Sequence, residues 1–230
     1  MPAKITGDYS KLPATIQSVF PYLEGETCQL HEYWATYEHL FMLDPRWTKF
    51  FSERFGPLLV VLQHLLVDEM FLTISRLTDK NSRSQDNLSL WSLLQGVPFA
   101  KNASFETEVD VALENIATIA ASIRTHRHKR IAHFDLEVSL KSGLLPTVKF
   151  KEIKTLLNRI DEFINLFHAE FEDSSFLFDI IQNEITGVAE INMWKAFAYD
   201  QLEKNGMVPK LEWLAIKNQH IAESALSDGK

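Results

Sequence analysis

Arginine and histidine crowd one stretch of this chain, Ile123-Arg124-Thr125-His126-Arg127-His128-Lys129-Arg130-Ile131-Ala132-His133-Phe134-Asp135. Four of the 23 Lys/Arg and three of the 8 His fall inside it, on a chain whose formal net charge is −8. A basic knot on an acidic background sets up a local field opposite to the global one, and an anionic ligand would follow that field. An imidazole titrates near neutral pH and can serve as general acid or base. A guanidinium keeps its charge and matches the spacing of phosphate oxygens. These residue types fit three chemistries. One is a metal site from His126, His128 and His133. The second is a cationic clamp on a nucleotide or RNA backbone, without chemistry. The third is metal-free RNA cleavage, with His133 as general acid or base and an arginine stabilising the phosphorane. A plain basic helix end, favoured by the helix dipole, competes with all three.

Read as one continuous helix, the stretch turns Arg130, His126 and His133 about 20°, 60° and 80° to the same side of Ile123, and Arg127 about 40° to the other. Arg127 must then reach roughly 120° around and about 9 Å along to meet His133. A bend near Ala132, or a second copy of the motif across a dimer, would close that gap. His128 points away from the other two histidines, and the flanking arginines oppose a cation, so no metal is expected there.

These side chains need helices to hold them, and the apolar spacing supplies helices throughout. Residues 1–26, with Pro2, Pro13 and Pro21, read as an irregular lead-in. Leu30, Trp34, Tyr37 and Phe41 begin a helical pattern near Thr27. Asp44-Pro45 is a restart, and Pro57 is expected to end or kink the element it begins. Residues 58–79 are apolar almost all round and predict a central, buried helix. Glu69, Thr73, Arg76 and Lys80 make its polar stripe; either that stripe faces solvent, or Glu69 and Arg76 face a polar cavity between helices. A short helix is expected over 88–94, a long one over 105–132 that carries the motif at its end, and an amphipathic one over 150–171. Helices are also expected over 176–185 and 189–202, with a last one opened by Pro209. Short extended pieces are all that 137–140 and 147–150 suggest.

The fold class is therefore all-α. The sequence suggests an irregular segment over 1–26, a helical bundle over 27–175, a C-terminal helical extension over 176–223 and a frayed tail over 224–230. A hydrophobic content of 46% supports a folded core. Cys28 is alone, which excludes an internal disulfide and suits a reducing cytoplasm. No signal-peptide pattern opens the chain, and the polar residues Gln63, His64, Asp68, Glu69 and Arg76 argue against a membrane span in its longest apolar run.

The segment from Arg127 to His133 resembles the signature of the HEPN superfamily, an arginine followed by a polar residue and, after four to six intervening positions, a histidine. With Ser75-Arg76-Leu77-Thr78-Asp79 and Asn87-Leu88-Ser89-Leu90 upstream, it further resembles the abortive-infection U-type branch, over roughly 27–175. The resemblance implies an up-and-down antiparallel bundle that dimerises with two motifs facing one shared cleft. It also implies a metal-independent endoribonuclease of toxin or phage-defence systems, without a cofactor. Arg127 and His133 match the catalytic pair, and His128 matches the polar residue after the arginine. Arg130, Arg76 and Glu69 join them as substrate-binding candidates, from helix geometry alone. RNA or a nucleotide is the expected ligand, with room for an antitoxin partner. A catalytically silent HEPN domain binding nucleotide, RNA or protein is the alternative. Asp135 stands where some family toxins carry a tyrosine that a partner nucleotidyltransferase modifies, so silencing by that route is not expected.

Overall fold

A computed structural model describes residues 7–42, 45–80, 87–97, 102–132 and 145–208. Among them are seven α-helices, one π-helical segment and no strand. The α-helices are α1 (Phe20–Phe41), α2 (Pro45–Thr78), α3 (Leu90–Gly96), α4 (Ala103–Ile119), α5 (Ala121–His126), α6 (Phe150–Glu172) and α7 (Asp179–Lys204), with the π segment (Arg127–Ala132) directly after α5.

Side-chain pairs fix the directions of the helices. Along α1 and α6, Glu24 meets His168, His31 meets Asp161 and Glu38 meets Lys154, so one helix rises as the other falls. Glu26 with Arg76 and Tyr37 with Gln63 set α2 antiparallel to α1 in the same way. Phe71 against His126 and Thr78 against Arg124 do so for α2 and α5, and Phe105 against Phe167 with Asn102 on Glu170 joins α4 to α6. The result is the expected up-and-down bundle. Its core runs from Leu23, Leu30 and Trp34 through Met70, Ile74 and Leu77 to Leu113, Ile116, Ile123, Leu156, Ile160 and Phe163.

Several elements depart from the sequence reading. α1 starts at Phe20, not near Thr27, because Pro21 lies in the first turn, where a missing N–H costs no intrahelical bond. Ahead of it, Leu12 and Ile16 are fully buried, so this part of the lead-in contributes to the core. Pro57 kinks α2 at Phe55 (φ −128°, ψ 17°) and does not end it. The long helix expected over 105–132 is three pieces: α4 ends at Ile119, α5 restarts after a turn at Ala120, and the ladder widens to π from Arg127. Helices expected over 176–185 and 189–202 merge into α7. The segment opened by Pro209 and residues 137–140 lie outside the described residues. Residues 147–149 form neither helix nor strand, Lys149 is extended, and Glu152 caps α6 by accepting the Lys149 N–H at 2.9 Å.

α2 is only half a core helix. Met70, Phe71, Ile74 and Leu77 are buried, whereas Leu58, Val60, Val61 and Leu65 are each more than half exposed. Over 48–78 it is long and apolar enough to span a membrane by length and composition, with 33% of that window buried.

The chain divides into two compact units, Met1–Gly187 and Val188–Lys230. In the second unit, Trp194 packs edge-on against Phe197 and Lys204 reaches the buried Asp200 at 3.0 Å.

Candidate functional site

The basic motif is bolted to the bundle by a residue that sequence reasoning passed over. Arg124 donates to the Thr78 carbonyl and hydroxyl (3.3 and 3.2 Å) and to the Ala117 carbonyl (2.9 Å). Both carbonyls belong to the last turns of helices, α2 and α4, which lack partners within their own ladders. One guanidinium therefore caps two helix ends and fixes where α5 starts. Ile123, fully buried beside it, anchors the same turn. The available signal was Arg124 itself, a cation placed one residue past the last core position of an apolar stripe.

His126 is also structural. Its Nε2–H donates to the Pro146 carbonyl at 2.6 Å and its ring stands edge-on to Phe71 at 5.5 Å. It ties the motif to the chain entering α6 and is not turned toward His128, which is exposed. Past His126 the π segment begins. A widened turn shifts later side chains away from the 100° step assumed above, yet His126 against Phe71 and Arg130 on Asp68 still address one face of α2. His133 and Asp135 lie outside the described residues.

Arg127 and Arg130 both turn to α2, but to different places. Arg127 Nη2 is 3.7 Å from Asp79 Oδ2, and Arg130 Nη2 hydrogen-bonds Asp68 Oδ1. Three residues separate the arginines; eleven separate their partners, about 16 Å along an ideal helix. The two guanidiniums are therefore splayed, one at the end of α2 and one nearer its middle. Each pair is about one-third exposed, where an ion pair is worth only ~0–1 kcal/mol and a phosphate can replace the carboxylate. The geometry gives two cations held ready but not together.

Glu69 and Arg76 face elsewhere. With Glu26, Gln29, Tyr33, Leu77 and Leu88 they line a cavity of about 490 Å³ on the α1 side of α2. Arg76 donates through Nε and Nη2 to Glu26 Oε2 (3.3 and 3.0 Å) and through Nη2 to Thr73 Oγ1 (2.9 Å). The stripe combines both sequence readings: Glu69 and Arg76 line this cavity, while Arg76 is also exposed and ion-paired with Glu26. The cavity does not adjoin the Arg127 and Arg130 pairs, which engage other α2 side chains.

A match to the AbiU2 family model covers residues 14–191, which takes in α1 through α6 and the start of α7. The chain belongs to the AbiU2 family of HEPN domains. The match to this AbiU2 domain starts before α1, in keeping with the buried Ile16. No curated protein and no solved structure gives a significant match. Membership in the family suggests a nuclease or abortive-infection role.

A second polar centre was not legible in the sequence. His168 donates from Nε2 to Glu24 Oε1 (2.9 Å) and from Nδ1 to Glu172 Oε2 (2.6 Å), while the Tyr9 hydroxyl donates to Glu24 Oε2 (2.5 Å). Carboxylates only accept, so both ring nitrogens carry protons and the imidazole is charged. Burial by itself would lower the His168 pKa, but the hydrogen bonds to Glu24 and Glu172 outweigh it and hold it above the ordinary histidine value. Cys28, close to this centre electrostatically, is buried and its thiol is pushed up to about 12, firstly by desolvation and then by Glu24. A thiol in that state is inert as a nucleophile.

Proposed function

We propose that this AbiU2 protein is a metal-independent endoribonuclease, acting as a homodimer in toxin or phage-defence systems in the cytoplasm. The observation that carries the reading is the pair of splayed, exchangeable arginines on the π segment, immediately before His133 in the family's signature. His133 takes the proton from a ribose 2′-OH, and the 2′-oxygen attacks the adjacent phosphorus. The 5′-oxygen leaves as the partner's His133 gives it a proton. Arg127 stabilises the phosphorane, with Arg130 and His128 on the flanking phosphates. The products are a 2′,3′-cyclic phosphate and a free 5′-hydroxyl.

Dimerisation has support in α2. Leu58, Val61 and Leu65 repeat at three and four residues, and the next step of that stripe is Asp68, the partner of Arg130. A second copy seated on this exposed stripe brings two motifs toward one seam.

The test is cleavage of RNA in excess EDTA by the parent, by His133→Ala and by the Val61→Asp, Leu65→Asp double variant, with analysis of product ends. EDTA-resistant cleavage that falls about 10²- to 10⁴-fold in His133→Ala and leaves cyclic phosphate supports the reading. The double variant should run as a monomer and lose cleavage as well. RNA binding without cleavage in the parent supports the silent alternative, which the neutralising Asp68 and Asp79 favour.

A further inference from the structure

The cavity between α1 and α2 gathers both upstream blocks that sequence analysis singled out. Arg76 and Leu77 come from the first and Leu88 from the second. At about 490 Å³ it is the size of a small-ligand pocket, and its lining is mostly polar, with Glu26, Gln29, Tyr33, Glu69 and Arg76 beside Leu77 and Leu88. Glu69, Gln29 and the Tyr33 hydroxyl make no hydrogen bond or ion pair among the described residues, although all three line the cavity. Arg76 is fixed on one edge by Glu26 and Thr73 through Nε and Nη2, which leaves Nη1 to point a donor elsewhere.

The charges narrow the ligand. Two carboxylates face one guanidinium, so the cavity disfavours a phosphate inside it. A simple cation would use the carboxylates and leave Arg76, the amide and the leucine walls without purpose. A flat base with both donors and acceptors uses all of them. Among bases, guanine presents two parallel donors, N1–H and N2–H, to a single carboxylate, and O6 and N7 acceptors to an arginine on its other edge. Tyr33 supplies a face for stacking and Leu88 an apolar contact. Burial first, then the neighbouring Glu69 carboxylate, raise the Tyr33 pKa, so its hydroxyl remains a donor.

We propose that this cavity binds a guanine base, with Glu69 on N1–H and N2–H, the Nη1 of Arg76 on O6, and the sugar-phosphate left outside. The site is separate from the Arg127 and Arg130 pairs and does not depend on the protein cutting RNA. The base can belong to a free nucleoside or to a nucleic-acid strand.

Calorimetric titration of the full chain with guanosine and with adenosine tests it. Guanosine should bind at least about tenfold more tightly than adenosine, and Glu69→Gln, an isosteric change at a partly buried position, should remove about that preference. Gln29→Ala should weaken guanosine binding without restoring adenosine. A deoxyadenosine oligomer with and without one deoxyguanosine, which lacks the 2′-OH needed for cleavage, then separates the sources. Tighter binding of the guanine-containing oligomer assigns the base to a strand, and binding of guanosine alone assigns it to a free nucleoside. Equal affinity for guanosine and adenosine, or guanosine binding indifferent to Glu69→Gln, overturns the proposal. Because the readout is binding, its failure leaves the ribonuclease reading untouched, and the reverse also holds.

Discussion

Two seams of this bundle are built from the same chemistry, cations against carboxylates, and they behave as opposites. Between α1 and α6, His168 lies between Glu24 and Glu172 with all three nearly out of water, and His31 meets Asp161 at 2.7 Å a short distance along. Between α2 and the π segment, Arg127 and Arg130 reach Asp79 and Asp68 at the surface. The buried seam has no outlet: removing a partner strands a charge in a medium that cannot solvate it. The exposed seam can lose a carboxylate to water or trade it for a phosphate at small cost. Burial, more than residue type, decides which ion pairs hold the fold and which are available for function.

The largest expected effect tests the buried side. Glu24→Ala leaves the Tyr9 hydroxyl and the Nε2–H of the His168 imidazolium without their acceptor, with Glu172 alone on Nδ1, and should destabilise the protein by about 3–5 kcal/mol, read by urea denaturation. A loss below about 1 kcal/mol would remove the distinction between the seams. A smaller effect comes from pH. The folded pKa of His168 is raised above its unfolded value, so its contribution is fully present below about pH 6.5 and is lost as pH rises through the folded pKa. The denaturation midpoint should therefore fall from pH 6 to pH 9 in the parent, and fall less in His168→Gln. A profile that is identical in the two proteins would count against a charged imidazole.

The sequence carried the bundle well because helices with one apolar stripe announce themselves at three- and four-residue spacing. α6, expected over 150–171, spans Phe150–Glu172. Pro57 marked the kink in α2. The buried seam escaped notice because Glu24 and His168 are 144 residues apart, and no local pattern records which helix faces which. The exposed face of α2 escaped because composition cannot tell a helix buried in its own core from one that leaves Leu58, Val61 and Leu65 uncovered. At the site, the stripe of Glu69 and Arg76 left solvent and cavity open as alternatives, and the basic knot was plain. Its geometry was not, since a π turn leaves no mark in residue spacing and changes every angle after it. Arg124 and His126 looked like the rest of the knot; only their carbonyl partners show that they hold the motif in place.

The smallest expected effects fall on the exposed seam, and they separate its two arginines. Asp79→Asn removes the charge facing Arg127, and Asp68→Asn the charge facing Arg130; each should change stability by no more than ~1 kcal/mol. If Arg127 is the residue that meets the reacting phosphate, freeing it from Asp79 should tighten binding of a single-stranded RNA. That binding should also become more salt-dependent, with the slope of log K against log salt steepening by about 0.7 for one added phosphate contact. Asp68→Asn should raise affinity through a flanking phosphate and leave the cleavage rate of bound RNA unchanged. Binding measured at low and physiological salt for both variants decides between the arginines. Equal responses would make them interchangeable parts of a diffuse clamp, and no response in either would mean that phosphate does not compete for this seam. Because the carboxylates are lost from the surface and not from the core, any change in RNA binding reports on the site and not on a damaged fold.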